Sequence, residues 1–286
     1  MTTVRELLEW GRKELADLGA EEAEASARVL LSEVLSLSRT SLYLEARREV
    51  PEKESRHYRT WIAGRKQRIP TAYLTGTAYF WNETLIVGPG CLVPRPETET
   101  LVKAFVDASG FSQTSAFTFA DLGAGSGAIG IALLRHFEKA RCVFLDCSEK
   151  ALELAAKNVE KYALGERCRL VKTDLFGACG KDRWDALVSN PPYFKESDWA
   201  EADAEVLQEP REALDGGQDG LFFYRNIAES VSERLYPSAP FFLEVGRGQA
   251  PEVRDLLVRK NFTDIKIFKD DINVERVVMA RAGSHG

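Results

Sequence analysis

The chain lacks several features that would assign it to a class of proteins on their own. Its five cysteines are an odd number and form no Cys-x-x-Cys pair, so their spacing predicts neither a disulfide framework nor a zinc site. No apolar run approaches the roughly 18 residues that cross a bilayer, and the first residues do not have the basic-then-apolar layout of a signal peptide. We therefore expect a cytoplasmic protein with no metal site and no membrane partner.

An excess of cations is also missing, because the net charge of the 286 residues is −6. Non-specific binding to nucleic acid depends on cations that neutralise phosphates, so we expect no stable nucleic-acid partner. The charge is unevenly distributed: residues 56–68 contain five cations and no acid, whereas residues 196–219 contain nine acids and one arginine. Each run is either a solvated face or a surface for a partner of opposite charge, and we hypothesise that the basic run docks a protein partner.

Residues 1–71 are typical of a small helical domain. Thr3 and Glu6 form a capping box that predicts the start of the first helix. A second helix is predicted over 21–36 and a third over 51–68, where a proline stands at the first position.

Residues 72–94 are predicted to form a linker with a β-hairpin, because two β-rich runs, 77–81 and 84–87, flank a polar pair. The third predicted domain, 95–286, has a helix over 98–108 near its start. There, short apolar strands alternate with helices, which is typical of a mostly parallel sheet covered on both faces. The last two strands have no clear helix between them, so that end of the sheet is expected to be antiparallel. The predicted strands are 117–121, 142–146, 169–172, 186–189, 241–245, 264–268 and 274–280, and the main predicted helices are 126–137, 149–162, 221–235 and 251–260.

A glycine-rich turn, Asp121-Leu122-Gly123-Ala124-Gly125-Ser126-Gly127, follows the first predicted strand. Glycines let the backbone turn tightly and let a ligand approach bare N–H groups at a helix N-terminus. The run also fits the weak dinucleotide fingerprint, but a carboxylate just before the loop suits a cation better than a pyrophosphate. S-adenosyl-L-methionine carries both an ammonium and a sulfonium, so a site for this cofactor is favoured over a plain structural turn. The predicted cofactor-binding residues here are Asp121, Gly123, Ala124, Gly125, Ser126 and Gly127.

Two more acids follow the next two predicted strands. Asp146 closes the second strand, where its carboxylate can accept hydrogen bonds from both hydroxyls of a ribose. The alternative is that Asp146 only caps the helix that begins near Glu149. Asp174 follows the third strand, where it could meet the amino group of adenine while apolar Leu175 grips the ring. For Asp174 and Leu175, core packing is the alternative.

Asn190-Pro191-Pro192-Tyr193 follows the fourth predicted strand, at the mouth of the expected cleft. An amide or aromatic amine is a poor nucleophile because its lone pair is delocalised, and holding both N–H bonds can free that pair. This task needs two rigid acceptors, such as the side-chain oxygen of Asn190 and the carbonyl of Pro191. Tyr193 offers a flat face to a planar group, and no general base is evident. We therefore predict that Asn190, Pro191 and Tyr193 are catalytic; a simple turn is the alternative.

Several runs of residues extend this pattern over nearly the whole chain. They include Pro94-Arg95-Pro96-Glu97-Thr98-Glu99 and Asn190-Pro191-Pro192-Tyr193. The other runs are Ala72-Tyr73-Leu74-x-Gly76 with Phe80-Trp81, the glycine-rich turn, Glu209-Pro210-x-x-Ala213-Leu214, Gly217-x-Asp219-Gly220-Leu221 and Glu244-Val245-Gly246-x-x-Gln249. In these runs the chain resembles the HemK/PrmC family, the protein-(glutamine-N5) methyltransferases of peptide-chain release factors. The Pro-Arg-Pro-Glu-Thr-Glu run is highly specific to this family, whereas the Asn-Pro-Pro-Tyr run is shared with other amino methyltransferases.

The resemblance implies an α/β fold with a seven-stranded, Rossmann-like class I methyltransferase sheet, a small N-terminal helical domain that docks the substrate, and a connecting β-hairpin. It implies that S-adenosyl-L-methionine contacts the glycine loop, Asp146 and Asn190. The substrate would be the glutamine of the Gly-Gly-Gln loop in a release factor, held by Asn190, Pro191, Pro192 and Tyr193. Family members often have tryptophan at the position of Leu175, so leucine would stack less well on adenine.

Three other functions compete with the methylation of a release factor. The runner-up is an adenine-N6 or guanine-N2 methyltransferase that acts on nucleic acid, because such enzymes also present a similar motif to a planar amine. The acidic balance and the family-specific runs count against it. A non-catalytic binding module is disfavoured by the intact Asn190 and glycine loop, and an NAD oxidoreductase would leave the Asn-Pro-Pro-Tyr run unexplained.

Overall fold

The computed structural model describes residues 2–283, so the last three residues of the predicted third domain lie outside it. The chain divides into two compact units. The helical unit contains the residues up to Thr77 together with Asp203–Gln208, and the sheet unit contains Ala78–Ala202 and the residues from Glu209 onward. A short segment that follows the Asn-Pro-Pro-Tyr run along the chain therefore belongs to the helical unit.

The helical unit packs its helices around one apolar cluster that includes Leu7, Leu30 and Tyr58. The predicted capping box is confirmed: Thr3 Oγ1 accepts from the Glu6 N–H at 3.3 Å, and the Glu6 carboxylate accepts from the Thr3 N–H at 2.8 Å. Two short helices were not predicted, because five or six residues are too few to show a helical period. The elements are β1 (Thr2–Thr3), α1 (Val4–Glu14), α2 (Ala20–Leu35), α3 (Arg39–Leu44), β2 (Glu49–Val50), α4 (Glu52–Lys66) and α5 (Thr71–Thr75), with β1 and β2 paired antiparallel.

The basic run 56–68 lies mostly on α4, and its cations have partners inside the helical unit. The Arg65 side chain is only 2% exposed and pairs with Glu22 and Glu205. Lys66 pairs with Glu14 at 3.1 Å. The hypothesis of a basic docking face is therefore wrong for Arg65, because a buried and doubly paired guanidinium presents no charge to a partner.

The sheet unit begins with a β-hairpin and continues with alternating strands and helices. The hairpin is narrower than the predicted linker 72–94, since α5 occupies the start of that range. Its tight turn holds Trp81 and Asn82 at φ values of 47° and 64°, which is typical of a two-residue hairpin turn. The elements are β3 (Thr77–Phe80), β4 (Glu83–Ile86), α6 (Glu99–Ala108), β5 (Thr118–Leu122), α7 (Ala128–His136), β6 (Arg141–Asp146), α8 (Glu149–Lys161), β7 (Cys168–Lys172), β8 (Ala186–Ser189), α9 (Phe222–Arg234), β9 (Pro240–Glu244), α10 (Ala250–Arg259), β10 (Thr263–Lys269) and β11 (Glu275–Arg281).

The seven-stranded sheet has the order β10-β11-β9-β8-β5-β6-β7. Strands β5 to β9 pair in parallel, whereas β11 is antiparallel to both β9 and β10. The predicted α/β fold and its antiparallel end are therefore confirmed. The chain runs from β5 to β6 on one side and returns with β8 on the other, so the loops after β5 and β8 meet where the strand order reverses. Ligands bind at this position in such sheets.

Candidate active site

A cleft of about 1050 Å³, which includes space open to solvent, lies at the carboxyl ends of β5, β6, β7 and β8. Ten of the predicted site residues line it: Gly123, Ala124, Gly125, Ser126, Asp146, Asp174, Leu175, Asn190, Pro191 and Pro192. The structure thus brings together residues that lie up to about 70 positions apart in the sequence. Asp121, Gly127 and Tyr193 do not contribute to the lining.

The glycine loop is fastened to the end of the neighbouring strand β6. The N–H groups of Gly123 and Ala124 donate to the Leu145 carbonyl at 2.8 and 3.0 Å, and the Gly125 N–H donates to Asp146 Oδ2 at 2.8 Å. Gly125 has a φ of 56°, in the left-handed region that glycine adopts readily. Three backbone N–H groups bonded to the end of β6 therefore hold this loop in place.

Asp121 lies beneath the loop and is completely buried. Its Oδ2 accepts from the Gly130 N–H at 2.9 Å, whereas Oδ1 has no hydrogen-bond partner among the described residues. Burial raises the pKa of Asp121 to about 8, against the opposing effect of the Gly130 N–H. A buried carboxyl with one unmatched oxygen fits a cationic ligand group nearby, because such a charge would favour the ionised form.

Asp146 stands where β6 ends, and each of its oxygens accepts one backbone bond. Oδ2 accepts from Gly125 and Oδ1 accepts from the Ser148 N–H at 2.8 Å. Burial raises the pKa of Asp146, while these N–H groups lower it. The cap of α8 is Ser148, whose hydroxyl accepts from the Ala151 N–H, so the alternative in which Asp146 caps this helix is wrong. A carboxylate has about four lone-pair sites, which leaves Asp146 able to accept from a pair of hydroxyls.

The charged residues of the cleft are mostly acidic. Asp146, Asp174 and Glu212 line it together with one cation, Arg95, which pairs with the buried Glu209. This balance suits a ligand with cationic groups and disfavours a pyrophosphate, which NAD would bring. The residues present therefore fit S-adenosyl-L-methionine.

Asp174 and Leu175 occupy the part of the cleft that follows β7. Asp174 is exposed, whereas Leu175 is half-buried and packs against an apolar core cluster of the sheet unit. Leu175 has a φ of 48°, which is uncommon for a residue with a branched side chain. An apolar wall and a polar side chain are thus adjacent on one side of the cleft.

The Asn-Pro-Pro-Tyr run follows β8 and is held by side chains from distant parts of the chain. Asn190 Nδ2 donates to Thr98 Oγ1 at 3.2 Å, and Gln249 Nε2 donates to the Tyr193 carbonyl at 3.1 Å. Tyr193 lies behind the cleft and packs against the core. Burial raises the pKa of Tyr193, so its phenol stays neutral and cannot serve as a base at neutral pH.

Several of these supporting residues received no role from the sequence. Glu209 is buried, bonds to Arg95 and accepts from the Val93 N–H at 2.8 Å, which holds the segment before α6. Thr98, Glu209 and Gln249 belong to the runs that carry the family resemblance, and that was the available signal. Their positions around Asn190 and Tyr193 depend on contacts between segments far apart in the sequence.

The described residues, 2–283, contain no group of three or more His, Cys, Asp or Glu side chains arranged to hold a metal ion. None of their helices combines the length and apolar character that a membrane span requires.

Comparisons with known proteins match both units. The model of the PrmC N-terminal domain matches residues 6–76, and that of the methyltransferase small domain matches residues 98–224. The release factor glutamine methyltransferase of Geobacter sulfurreducens is 36% identical over 98% of this chain and 97% of its own length. The enzyme of the same name from Gloeobacter violaceus is 36% identical over 95% of this chain and 98% of its own.

Solved structures of other methyltransferases have a similar fold. A methyltransferase from Pyrococcus furiosus has a TM-score of 0.53 at 16% identity, covering 70% of this chain and 89% of its own. The 16S rRNA N2 G1207 methyltransferase of T. thermophilus also has a TM-score of 0.53, at 21% identity over 72% of this chain and 49% of its own. At such identities the likeness concerns the fold alone.

Proposed function

The chain belongs to the release factor glutamine methyltransferase family, and we propose that it methylates the side-chain nitrogen of a glutamine in a peptide-chain release factor. It is an S-adenosyl-L-methionine-dependent methyltransferase, and its target is the glutamine of a Gly-Gly-Gln loop. The observation that carries this proposal is that Asn190 and Pro191 line the same cleft as the glycine loop and Asp146. Because the proposed substrate acts on the ribosome, we expect the reaction to occur in the cytoplasm.

Asn190 and Pro191 hold the glutamine amide in this proposal. The side-chain oxygen of Asn190 and the carbonyl of Pro191 accept one N–H each, which withdraws the nitrogen lone pair from conjugation. Pro191 and Pro192 restrict the backbone, so both acceptors are fixed before the substrate arrives. Tyr193 supports the segment through its carbonyl and its packed ring. Holding the nitrogen in place is chiefly a proximity effect, and no base has to act before the attack.

The loop after β5 and the ends of β6 and β7 bind the cofactor in this proposal. Residues 123–127 approach it through backbone N–H groups, Asp146 accepts from its ribose, and Asp174 with Leu175 borders its adenine. Asp121 favours its cationic end from beneath the loop. When bound, S-adenosyl-L-methionine supplies a methyl group on a positively charged sulfur. The helical unit, which matches the PrmC N-terminal domain, docks the protein substrate.

Methyl transfer from labelled cofactor to a release factor, to DNA and to RNA, measured side by side, tests the proposal. We expect label on the release factor, and mass spectrometry should locate one methyl group on the glutamine of its Gly-Gly-Gln loop. A release factor whose glutamine is replaced by asparagine is the control, and it should remain unlabelled. Label on nucleic acid alone would overturn the glutamine assignment and favour an adenine-N6 or guanine-N2 activity.

A further inference from the structure

Thr98 occupies a position where threonine ordinarily serves a helix, but its hydroxyl is used elsewhere. It is the N-cap residue of α6, and its side chain makes no capping hydrogen bond. Its backbone is already helical, with φ −65° and ψ −20°, because Thr98 ends the 3-10 turn Pro96–Thr98 that leads into α6, so its oxygen is not placed to accept from the first turn as a cap would. Here the buried hydroxyl accepts from the Asn190 amide at 3.2 Å, and it lies close enough to the carboxyl of Glu244, which is itself 2% exposed, to lower the pKa of that carboxyl.

We propose that Thr98 is a positioning residue, which orients the Asn190 amide so that its carbonyl oxygen faces the substrate nitrogen. This inference rests on the proposed function, because it concerns the acceptor that holds the glutamine. Thr98 and Asn190 both line the cleft, and Glu244 lies at the end of β9, the strand next to β8. The three residues form one chain of contacts that ends at the reacting position.

The direction of these hydrogen bonds starts from the Asn190 amide, whose Nδ2 donates to the Thr98 oxygen. A threonine hydroxyl has one proton and two lone pairs, and an ionised carboxylate can only accept. The Thr98 proton is therefore left to donate to Glu244 whenever that carboxyl is ionised. An amide donates only through its nitrogen, so Nδ2 faces Thr98 and Oδ1 is turned away from it. Without this contact the amide could rotate by 180° and present N–H groups to the N–H groups of the substrate.

Thr98→Val tests this role, because valine keeps the shape of threonine and removes the hydroxyl, and Thr98→Ser is the matched variant that keeps it. Turnover and KM with a release factor and the Kd for S-adenosyl-L-methionine by calorimetry are the measurements. We expect Thr98→Val to lower kcat about tenfold, which corresponds to one lost hydrogen bond, with the cofactor Kd changed less than twofold. Thr98→Ser should keep kcat within about threefold of the wild type, since the polar contact remains.

Equal turnover of the wild type and Thr98→Val would overturn the positioning role, and so would a Thr98→Ser variant as slow as Thr98→Val. If the circular dichroism spectrum shows that Thr98→Val does not fold, Thr98→Ala is measured instead. Alanine leaves a small void, whereas valine places a methyl group against polar neighbours. The proposed function fails separately, if the wild type leaves the release factor unlabelled. The wild type and the two variants are then compared on the nucleic acid that accepts the label.

Discussion

The loop after β5 and the loop after β8 meet at one cleft, but they are stabilised in different ways. The first is held mainly by backbone bonds to the adjacent strand, as between the Gly123 N–H and the Leu145 carbonyl, which lie 22 positions apart, with one further N–H bonded to the Asp146 carboxylate. The second is held by side chains, since Asn190 bonds to Thr98 over 92 positions and Tyr193 bonds to Gln249 over 56. A short motif can therefore encode the loop that we propose binds the cofactor, whereas the loop that we propose binds the substrate depends on the whole sheet unit.

The two loops also share a feature, because a buried carboxyl lies behind each. Asp121 lies beneath the glycine loop and Glu244 lies behind the Asn-Pro-Pro-Tyr run, and each has one oxygen without a hydrogen-bond partner among residues 2–283. Burial raises the pKa of Asp121 to about 8 and that of Glu244 to about 7. The group beside Asp121 is a backbone N–H, whereas the group beside Glu244 is the Thr98 side chain, so only the second of these partners can be removed by a substitution.

The largest effect is expected from the charge behind the substrate side. Glu244 holds its proton more tightly in the folded chain than at its ordinary pKa of 4.5, so its ionisation destabilises the fold as pH rises from about 4.5 to about 7. Glu244→Gln removes that dependence. Relative to the wild type, the free energy of unfolding of Glu244→Gln should rise by about 3 kcal/mol between pH 4.5 and pH 8, since one pKa unit corresponds to about 1.4 kcal/mol.

Urea unfolding of both proteins at several pH values measures this difference, which also cancels the contribution of Asp121. The charges near Glu244 that could modify it are Arg276, Glu97 and Arg95, and Arg276 acts to keep it ionised. A constant difference across the pH range would mean that Glu244 is already ionised at low pH, so that burial does not raise its pKa in the folded chain.

Asn190→Ala tests the division between the loops directly. Removing one of two acceptors should lower turnover about 10- to 100-fold, because a hydrogen bond to a buried polar group contributes about 1–3 kcal/mol. The Kd for the cofactor should change less, and Asn226→Ala in α9 is the control. Equal losses in turnover and in cofactor affinity would mean that Asn190 supports both loops.

The sequence predicted the strands better than the contacts between them. Short apolar runs bounded by loops predicted all seven strands of the sheet, as the exact match for β8 illustrates. Five- and six-residue helices such as α3 and α5 carry no such period. Arg65 was assigned to a docking surface because its neighbours in the sequence are basic, whereas its partners Glu22 and Glu205 lie 43 and 140 positions away.

The candidate site shows the same limit. The glycine loop, Asp146 and Asn190 could be located because each directly follows a predicted strand, and parallel strands bring their carboxyl ends together. The roles of Thr98, Gln249 and Glu244 could not, since they follow from which segments pack behind the loop. Asp121 was predicted to bind the cofactor, and in the structure it directly precedes Leu122, the first residue of its segment that lines the cleft.

A smaller effect is expected from Asp146→Ala, and it should appear in cofactor binding. Loss of a carboxylate that accepts hydroxyl and N–H bonds should raise the Kd for S-adenosyl-L-methionine about tenfold or more, as expected for a charge-assisted bond of about 1.5–3 kcal/mol. Turnover at saturating cofactor should fall less than in Asn190→Ala. Asp182→Ala, near the amino end of β5, is the control for calorimetry. An unchanged Kd would remove Asp146 from the ribose site.

The smallest effect is expected from the backbone of the glycine loop. Gly125→Ala places a side chain at a φ of 56° where no atom lies within 4 Å, so conformational strain is the main cost. This strain should lower the free energy of unfolding by about 1 kcal/mol. Gly165→Ala is the matched control, because its added Cβ also meets no atom within 4 Å and its φ is not in the left-handed region. That variant should be unchanged or stabilised by about 0.4–1 kcal/mol, since alanine restricts the unfolded chain. If thermal unfolding gave the two variants the same stability, the backbone explanation would be wrong. The loop after β5 would then have to depend on side chains, as the loop after β8 does.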